Sequence, residues 1–197
     1  AGAGRNYLVQ HSAGSGKSNS IAWLAHRLSS LHTEADDKIY HSVIVITDRK
    51  VLDQQLQDTI FQFDHKQGVV QKIDEDTRQL VKALSGGTPI IITTIQKFPF
   101  VSETLEKLQE EEGGIDIGTK GKRFAVIVDE AHSSQTGETA ADLREVLNSD
   151  GVAEAAQDYI ADNEEEEDDA VVRTMLRRGK QPNLSFFAFT ATPKYKR

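Results

Sequence analysis

Short runs of continuous apolar residues punctuate the chain: Leu8-Val9, Val43-Ile44-Val45-Ile46, Ile90-Ile91-Ile92-Thr93, Phe124-Ala125-Val126-Ile127-Val128 and Ser185-Phe186-Phe187-Ala188-Phe189. None alternates apolar with polar, so each reads as a strand covered on both faces, the situation inside a parallel sheet. Between them the period changes. Ile21, Leu24, Ala25 and Leu28 recur at helical spacing within residues 18–30, Leu52, Leu56 and Ile60 within 51–61, and Leu80, Val81 and Leu84 within 77–84. Strand and helix in alternation predict a doubly wound α/β fold in three layers, a mostly parallel sheet with helices on both faces. Trp23, one turn into the first helix, is expected in the core rather than as an exposed stacking platform.

The chain has 197 residues, 38% of them hydrophobic, which fits one domain spanning residues 1–197 with a substantial core. Gly113-Gly114 and the stretch from Gly118 to Gly121 mark loops ahead of the strand at Phe124. From about residue 139 to 178 a mostly helical excursion breaks the rhythm and reads as an insertion on the scaffold. It holds Asp162-Asn163-Glu164-Glu165-Glu166-Glu167-Asp168-Asp169, a block read as a solvated loop or frayed helix, the alternative being an acidic contact for another subunit.

The formal net charge of −8 excludes a basic surface that would grip a phosphate backbone everywhere, so any nucleic-acid contact is local. There is no cysteine, which excludes disulfides and thiolate zinc cages and makes a reducing, cytoplasmic setting the expectation. The longest apolar runs are far too short to span a bilayer, and no membrane partner is expected.

Ser12-Ala13-Gly14-Ser15-Gly16-Lys17-Ser18 follows a strand and opens a helix, the context a phosphate-binding loop requires. Gly14 and Gly16 let the backbone approach phosphate oxygens and turn N–H groups on them, and the helix N-terminus adds partial positive charge. Lys17 is placed to neutralise the β- and γ-phosphates of ATP, and the Ser18 hydroxyl is a hard oxygen ligand suited to Mg²⁺. The strict pattern has glycine where this chain has His11. On the outer bend of the loop, His11 is expected to shape it rather than to catalyse, and it receives no further role.

Asp129-Glu130 follows the strand that ends at Val128, at the edge where open α/β sheets bind ligands. Alone, such a pair could be a solvated corner. Beside a phosphate loop, Asp129 is placed to reach Mg²⁺ through a water, and Glu130 to orient or deprotonate the water attacking the γ-phosphate. His132 is either a surface histidine or a hydrogen-bonded relay of nucleotide state.

Ala13-Gly14-Ser15-Gly16-Lys17-Ser18, Asp129-Glu130-Ala131-His132 and Phe189-Thr190-Ala191-Thr192-Pro193 stand in the order of motifs I, II and III of superfamily 2 helicases and translocases, which the chain resembles. The resemblance implies a RecA-like P-loop NTPase domain in which Thr190 and Thr192 couple the ATP site to the nucleic-acid track.

The wording around these motifs is similar to the restriction (R) subunit of type I restriction-modification enzymes. His11 to Ser18 with Ile21-Ala22-Trp23-Leu24-Ala25, and Thr47-Asp48-Arg49-Lys50-Val51-Leu52-Asp53-Gln54-Gln55-Leu56, resemble that family's motifs I and Ia, and Thr93-Thr94-Ile95-Gln96-Lys97-Phe98 its motif Ib region. His11 is no oddity there. His132-Ser133-Ser134-Gln135 has serine where the family commonly has arginine, so the charge contact usually made there is not expected.

The resemblance implies an ATP-dependent translocase of double-stranded DNA, part of a type I site-specific deoxyribonuclease, with methylation (M) and specificity (S) subunits as partners. Full-length relatives also carry an endonuclease domain before this region and a second RecA-like domain after it. Neither lies within these 197 residues, so nuclease residues are not expected here, and a domain lacking arginines from its second half is expected to bind nucleotide and hydrolyse it poorly.

Arg49, Lys50, Thr94, Gln96 and Lys97 are the residues this family resemblance places against the phosphodiester backbone, contacts that position DNA without reading its sequence. Arg49 as a local cap or ion-pair partner and Lys97 as a plain surface charge are the alternatives. Two other functions share the motif set: a DExH RNA helicase, and a non-enzymatic switch in which ATP only controls assembly.

Overall fold

A computed structural model describes residues 2–11, 15–47, 54–63, 68–112, 121–129, 142–144, 146–147 and 182–190. Every apolar run becomes a strand. β1 (Tyr7–Gln10), β2 (Ser42–Thr47), β3 (Val70–Lys72), β4 (Ile90–Thr94), β5 (Phe124–Val128) and β6 (Leu184–Thr190) form one six-stranded sheet in the order β1-β6-β5-β2-β4-β3, with all neighbours parallel. Helices α1 (Lys17–Ser29), α2 (Gln54–Gln62), α3 (Thr77–Ser85) and α4 (Val101–Glu112) connect the strands, and a 3-10 segment (Ile95–Phe100) leads from β4 into α4.

Successive residues of a strand point to opposite faces, and the core divides accordingly. Val43, Val45, Ile90, Ile92, Ala125, Ile127, Phe187 and Phe189 meet Ile21, Ala22, Ala25 and Leu28 of α1 and Leu56 and Ile60 of α2. Ile44, Ile46, Ile91, Phe124, Val126, Val128, Phe186 and Ala188 meet Leu80, Val81 and Leu84 of α3, Val101 and Leu108 of α4, and Phe98 of the 3-10 segment. The three-layer architecture follows, and it explains why β2 and β5 carry no polar position facing water. Each fully buried aliphatic side chain of this kind contributes on the order of 2 kcal/mol.

β3 and α4 are not among the elements expected from the sequence above. β3 has three residues, of which only Val70 is buried, and it lies at the sheet edge. In α4, Val101 and Leu108 stand two helical turns apart among charged residues. Trp23 corrects the expectation of a core residue: it is 60% exposed. The buried arc of α1 runs through Ile21, Ala22, Ala25 and Leu28, and at about 100° per residue Trp23 projects from the opposite side.

Within the stretch 139–178, the described residues 142–144 and 146–147 are helical, and Leu143, Val146 and Leu147 belong to the second core. Asn183 Nδ2 donates to the Leu147 carbonyl at 2.8 Å, tying this helix to the start of β6. The acidic block at 162–169 and the glycines at 113–118 lie outside the described residues, while Gly121 turns with φ +74°. Among the described residues no helix is long and apolar enough to cross a membrane.

Candidate functional site

Parallel strands bring all their C-terminal ends to one edge, where connections leave for the helices. Gln10, Thr190, Val128, Thr47 and Thr94 end β1, β6, β5, β2 and β4 there. The strand order sets β6, which ends at Thr190, between the strand feeding the glycine loop and the strand feeding Asp129.

Gly16 is the N-cap of α1 at φ +83° and ψ +31°, the left-handed region that glycine enters without strain. A Cβ there would meet only Asn19 Nδ2, at 3.9 Å, so the backbone angle and not space requires glycine. The N-cap glycine has no side chain with which to cap α1, and no acidic residue stands in its first turn, so the helix itself does not neutralise the positive end of its dipole. Lys17 is the first helical residue and Ser18 the second, both half-buried.

Asp129 lies one step beyond β5, held by its N–H, which donates to the Ile46 carbonyl of β2 at 3.0 Å. Lys17 Nζ and Asp129 Oδ1 are 2.9 Å apart, with side-chain exposures of 20% and 9%. Two poorly hydrated opposite charges therefore compensate each other at the mouth of the loop. An ammonium group and a carboxylate that meet at a helix N-terminus, with a hydroxyl residue next in the chain, suit a Mg²⁺-nucleotide: the ammonium for phosphate oxygens, Ser18 and Asp129 for a hard cation. The residues present fit that group.

His11 follows β1 directly. Its N–H donates to the Thr190 carbonyl at 2.9 Å, Nδ1 is hydrogen-bonded to Ser15 Oγ, and Nε2 to Ser20 Oγ at 3.2 Å. The ring thus bridges Ser15 of the loop and Ser20 of α1, two hydroxyl partners that the loop pattern leaves unread. The available signal was a hydroxyl residue four and nine positions further on, meaningful only once the loop is folded. Ser12, Ala13, Gly14, Glu130, His132 and Thr192 lie outside the described residues.

Of the five residues considered for nucleic-acid contact, Arg49 and Lys50 lie outside the described residues. Thr94 ends β4 opposite Thr47 of β2, so the segments carrying the two groups leave from neighbouring strands. Gln96 and Lys97 are half-buried in the 3-10 segment, and Lys97 Nζ donates to the Glu75 carbonyl at 2.8 Å. Shifted titratable groups stand before β2, at the far edge of the sheet. Burial pushes the Tyr40 hydroxyl up, partly offset by its hydrogen bond to Ser185. Burial, with the charges of Arg123, Lys122 and Lys38, pushes the His41 imidazole down.

Residues 2–153 match the family model described as SWI2/SNF2 ATPase. The chain is 31% identical over 188 residues to the type I restriction enzyme HindI endonuclease subunit of Haemophilus influenzae, covering 94% of this chain and 15% of that protein. It is 27% identical over 186 residues to the putative type I restriction enzyme MjaIXP endonuclease subunit of Methanocaldococcus jannaschii, covering 94% and 13%. It is 30% identical over 146 residues to a Mycoplasma pneumoniae protein described as the C-terminal part of the putative type I restriction enzyme MpnIIP endonuclease subunit, covering 73% and 64%. The chain thus spans a small part of the first two relatives.

Proposed function

The chain belongs to the SWI2/SNF2 ATPase family, and from that premise we propose that it is the ATP-binding motor domain of a type I restriction enzyme R subunit. In this reading ATP hydrolysis drives translocation of double-stranded DNA before cleavage by a nuclease domain, in a complex with M and S subunits. The observation that carries it is the 2.9 Å approach of Lys17 to Asp129, which joins the loop after β1 to the end of β5. The relatives' names as restriction endonuclease subunits support the choice of motor.

Lys17 neutralises the β- and γ-phosphates, exchanging one anionic partner for another as nucleotide enters. Ser18 and Asp129 would hold Mg²⁺, which when bound would screen the phosphate charge and orient the phosphoryl group. Glu130 orients or deprotonates the attacking water. Thr190 and Thr192 pass the nucleotide state to the DNA track, with His132 as the hydrogen-bonded relay. Arg49, Lys50, Thr94, Gln96 and Lys97 touch the phosphodiester backbone, so binding weakens with salt and is indifferent to sequence.

ATP hydrolysis by the intact protein with duplex DNA, with RNA and with neither tests this reading. Duplex DNA is expected to stimulate it, and Lys17→Ala and Glu130→Gln to abolish the stimulated rate. Stimulation by RNA alone points to an RNA helicase instead. Nucleotide binding without hydrolysis under any condition points to an assembly switch, and unchanged hydrolysis in Lys17→Ala ends the motor reading.

A further inference from the structure

His11 is bonded to three parts of the site at once. Its backbone continues the pairing of β1 with β6 one residue past the ladder, through the 2.9 Å bond to the Thr190 carbonyl. Its ring joins Ser15 in the loop to Ser20 in the first turns of α1, where Ser20 N–H donates to the Gly16 carbonyl at 3.1 Å. The ring centroid lies 6.4 Å from that of Phe189, the residue before Thr190. The imidazole thus brackets the segment Gly16-Lys17-Ser18. A neutral imidazole offers one donor and one acceptor, and a serine hydroxyl serves as either, so both ring bonds form together in either tautomer. The glycine of the strict loop pattern would make the backbone bond but neither ring bond.

We infer that His11 is a positioning residue of the nucleotide site, clipping the loop that carries Lys17 and Ser18 to α1 and tying that arrangement to the end of β6. The inference rests on the assignment of this loop to ATP. Glycine-rich backbone has many conformations to lose, and a side-chain bridge across it lowers the ordering cost that phosphate binding must meet. The backbone bond to Thr190 makes the clip two-sided: movement of the β6 end shifts the loop, and a nucleotide seated in the loop fixes the β6 end.

The test measures ATP affinity, turnover and DNA stimulation in the intact protein and in His11→Ala, His11→Gln, Ser20→Ala and the His11→Ala/Ser20→Ala double variant. His11→Ala is expected to weaken ATP binding about tenfold and Ser20→Ala by about threefold, as for one or two hydrogen bonds lost. The double variant is expected to be no worse than His11→Ala, because the serine acts through the ring. His11→Gln, which keeps a donor and an acceptor, recovers most of the affinity. DNA stimulation falls in His11→Ala, while its melting temperature without nucleotide stays within about 2 °C of the parent.

Unchanged affinity in both His11→Ala and Ser20→Ala overturns the inference. So does a loss that Gln does not rescue and that tracks a fall in melting temperature, since the ring would then be merely structural. If His11→Ala does not fold, Ser20→Ala, which removes one hydroxyl, decides alone. Lys17→Ala separates this inference from its premise: retained ATP binding there refutes the ATP site itself, whereas loss there with full binding in the His11 and Ser20 variants refutes only the clip.

Discussion

Lys17 Nζ lies 2.9 Å from Asp129 Oδ1, and the pair joins the first residue of α1 to the residue that follows β5. Both side chains are largely shielded from water, so each charge helps to compensate the other. Asp129→Asn keeps the shape and removes the charge. Nucleotide binding without Mg²⁺ is expected to hold or strengthen, because a competitor for Lys17 is gone. Mg²⁺-dependent hydrolysis is expected to fall roughly 10²- to 10³-fold, comparable to loss of one preorganised charge-stabilising group. Binding titrations with a chelator or with Mg²⁺, beside steady-state hydrolysis, check both; an unaltered Mg²⁺ requirement would refute the role given to Asp129.

Gly16→Ala places a Cβ at φ +83° without a steric clash, which isolates the cost of the backbone angle. A non-glycine residue in the left-handed region costs roughly 1–2 kcal/mol, and asparagine tolerates it better than alanine. Melting temperature and ATP affinity are both expected to fall in Gly16→Ala and to recover in part in Gly16→Asn. The reverse order of the two variants would rule out backbone strain as the cause.

Arg123 N–H donates to His41 Nδ1 at 2.9 Å, which requires that nitrogen to be unprotonated. Burial first, then the charges of Arg123, Lys122 and Lys38, hold the His41 pKa below its ordinary value of 6.5. The unfolded chain therefore takes up this proton at higher pH than the folded chain. The contribution to stability is complete above the ordinary value and is lost as pH falls from there through the lower folded value. In denaturant titrations at about pH 7.5 and about pH 5, the midpoint of His41→Gln is expected to drop less than that of the parent. Equal drops would assign the acid sensitivity to other groups.

Asp76 caps α3, its Oδ1 accepting from Gln79 N–H at 3.1 Å, and Gln79 Oε1 in return accepts from Glu75 N–H at 3.1 Å. Asp76→Ala removes half of this reciprocal cap and is expected to cost about 1 kcal/mol, a fall of roughly 2–4 °C in melting temperature for a domain of this size. ATP affinity is expected to stay unchanged, because α3 is a different helix from the one that opens at the phosphate loop. Calorimetry with an ATP titration distinguishes the two effects, and a loss of affinity would mean that α3 supports the loop.

By itself, the sequence determined the strand-forming runs, because β2, β4, β5 and β6 are apolar on both faces and need no partner to be recognised. It also determined the chemistry available, since few residue types other than Lys17, Ser18 and Asp129 would suit phosphate and a hard cation in those positions. Helical period placed Trp23 in the core, where it is not, because the buried arc of α1 becomes visible only when the sheet is beneath it. β3 escaped notice since it buries too few side chains to impose a period, and α4 because its apolar positions Val101, Leu105 and Leu108 stand among charged and polar residues. That Lys17 meets Asp129, that Thr190 ends the strand between them, and that His11 bridges Ser15 and Ser20 were decided by the tertiary structure alone. The Lys17–Asp129 approach and the place of Thr190 follow from the strand order β1-β6-β5, and such pairing is fixed by how the whole sheet buries its two faces, a property no local stretch of sequence carries.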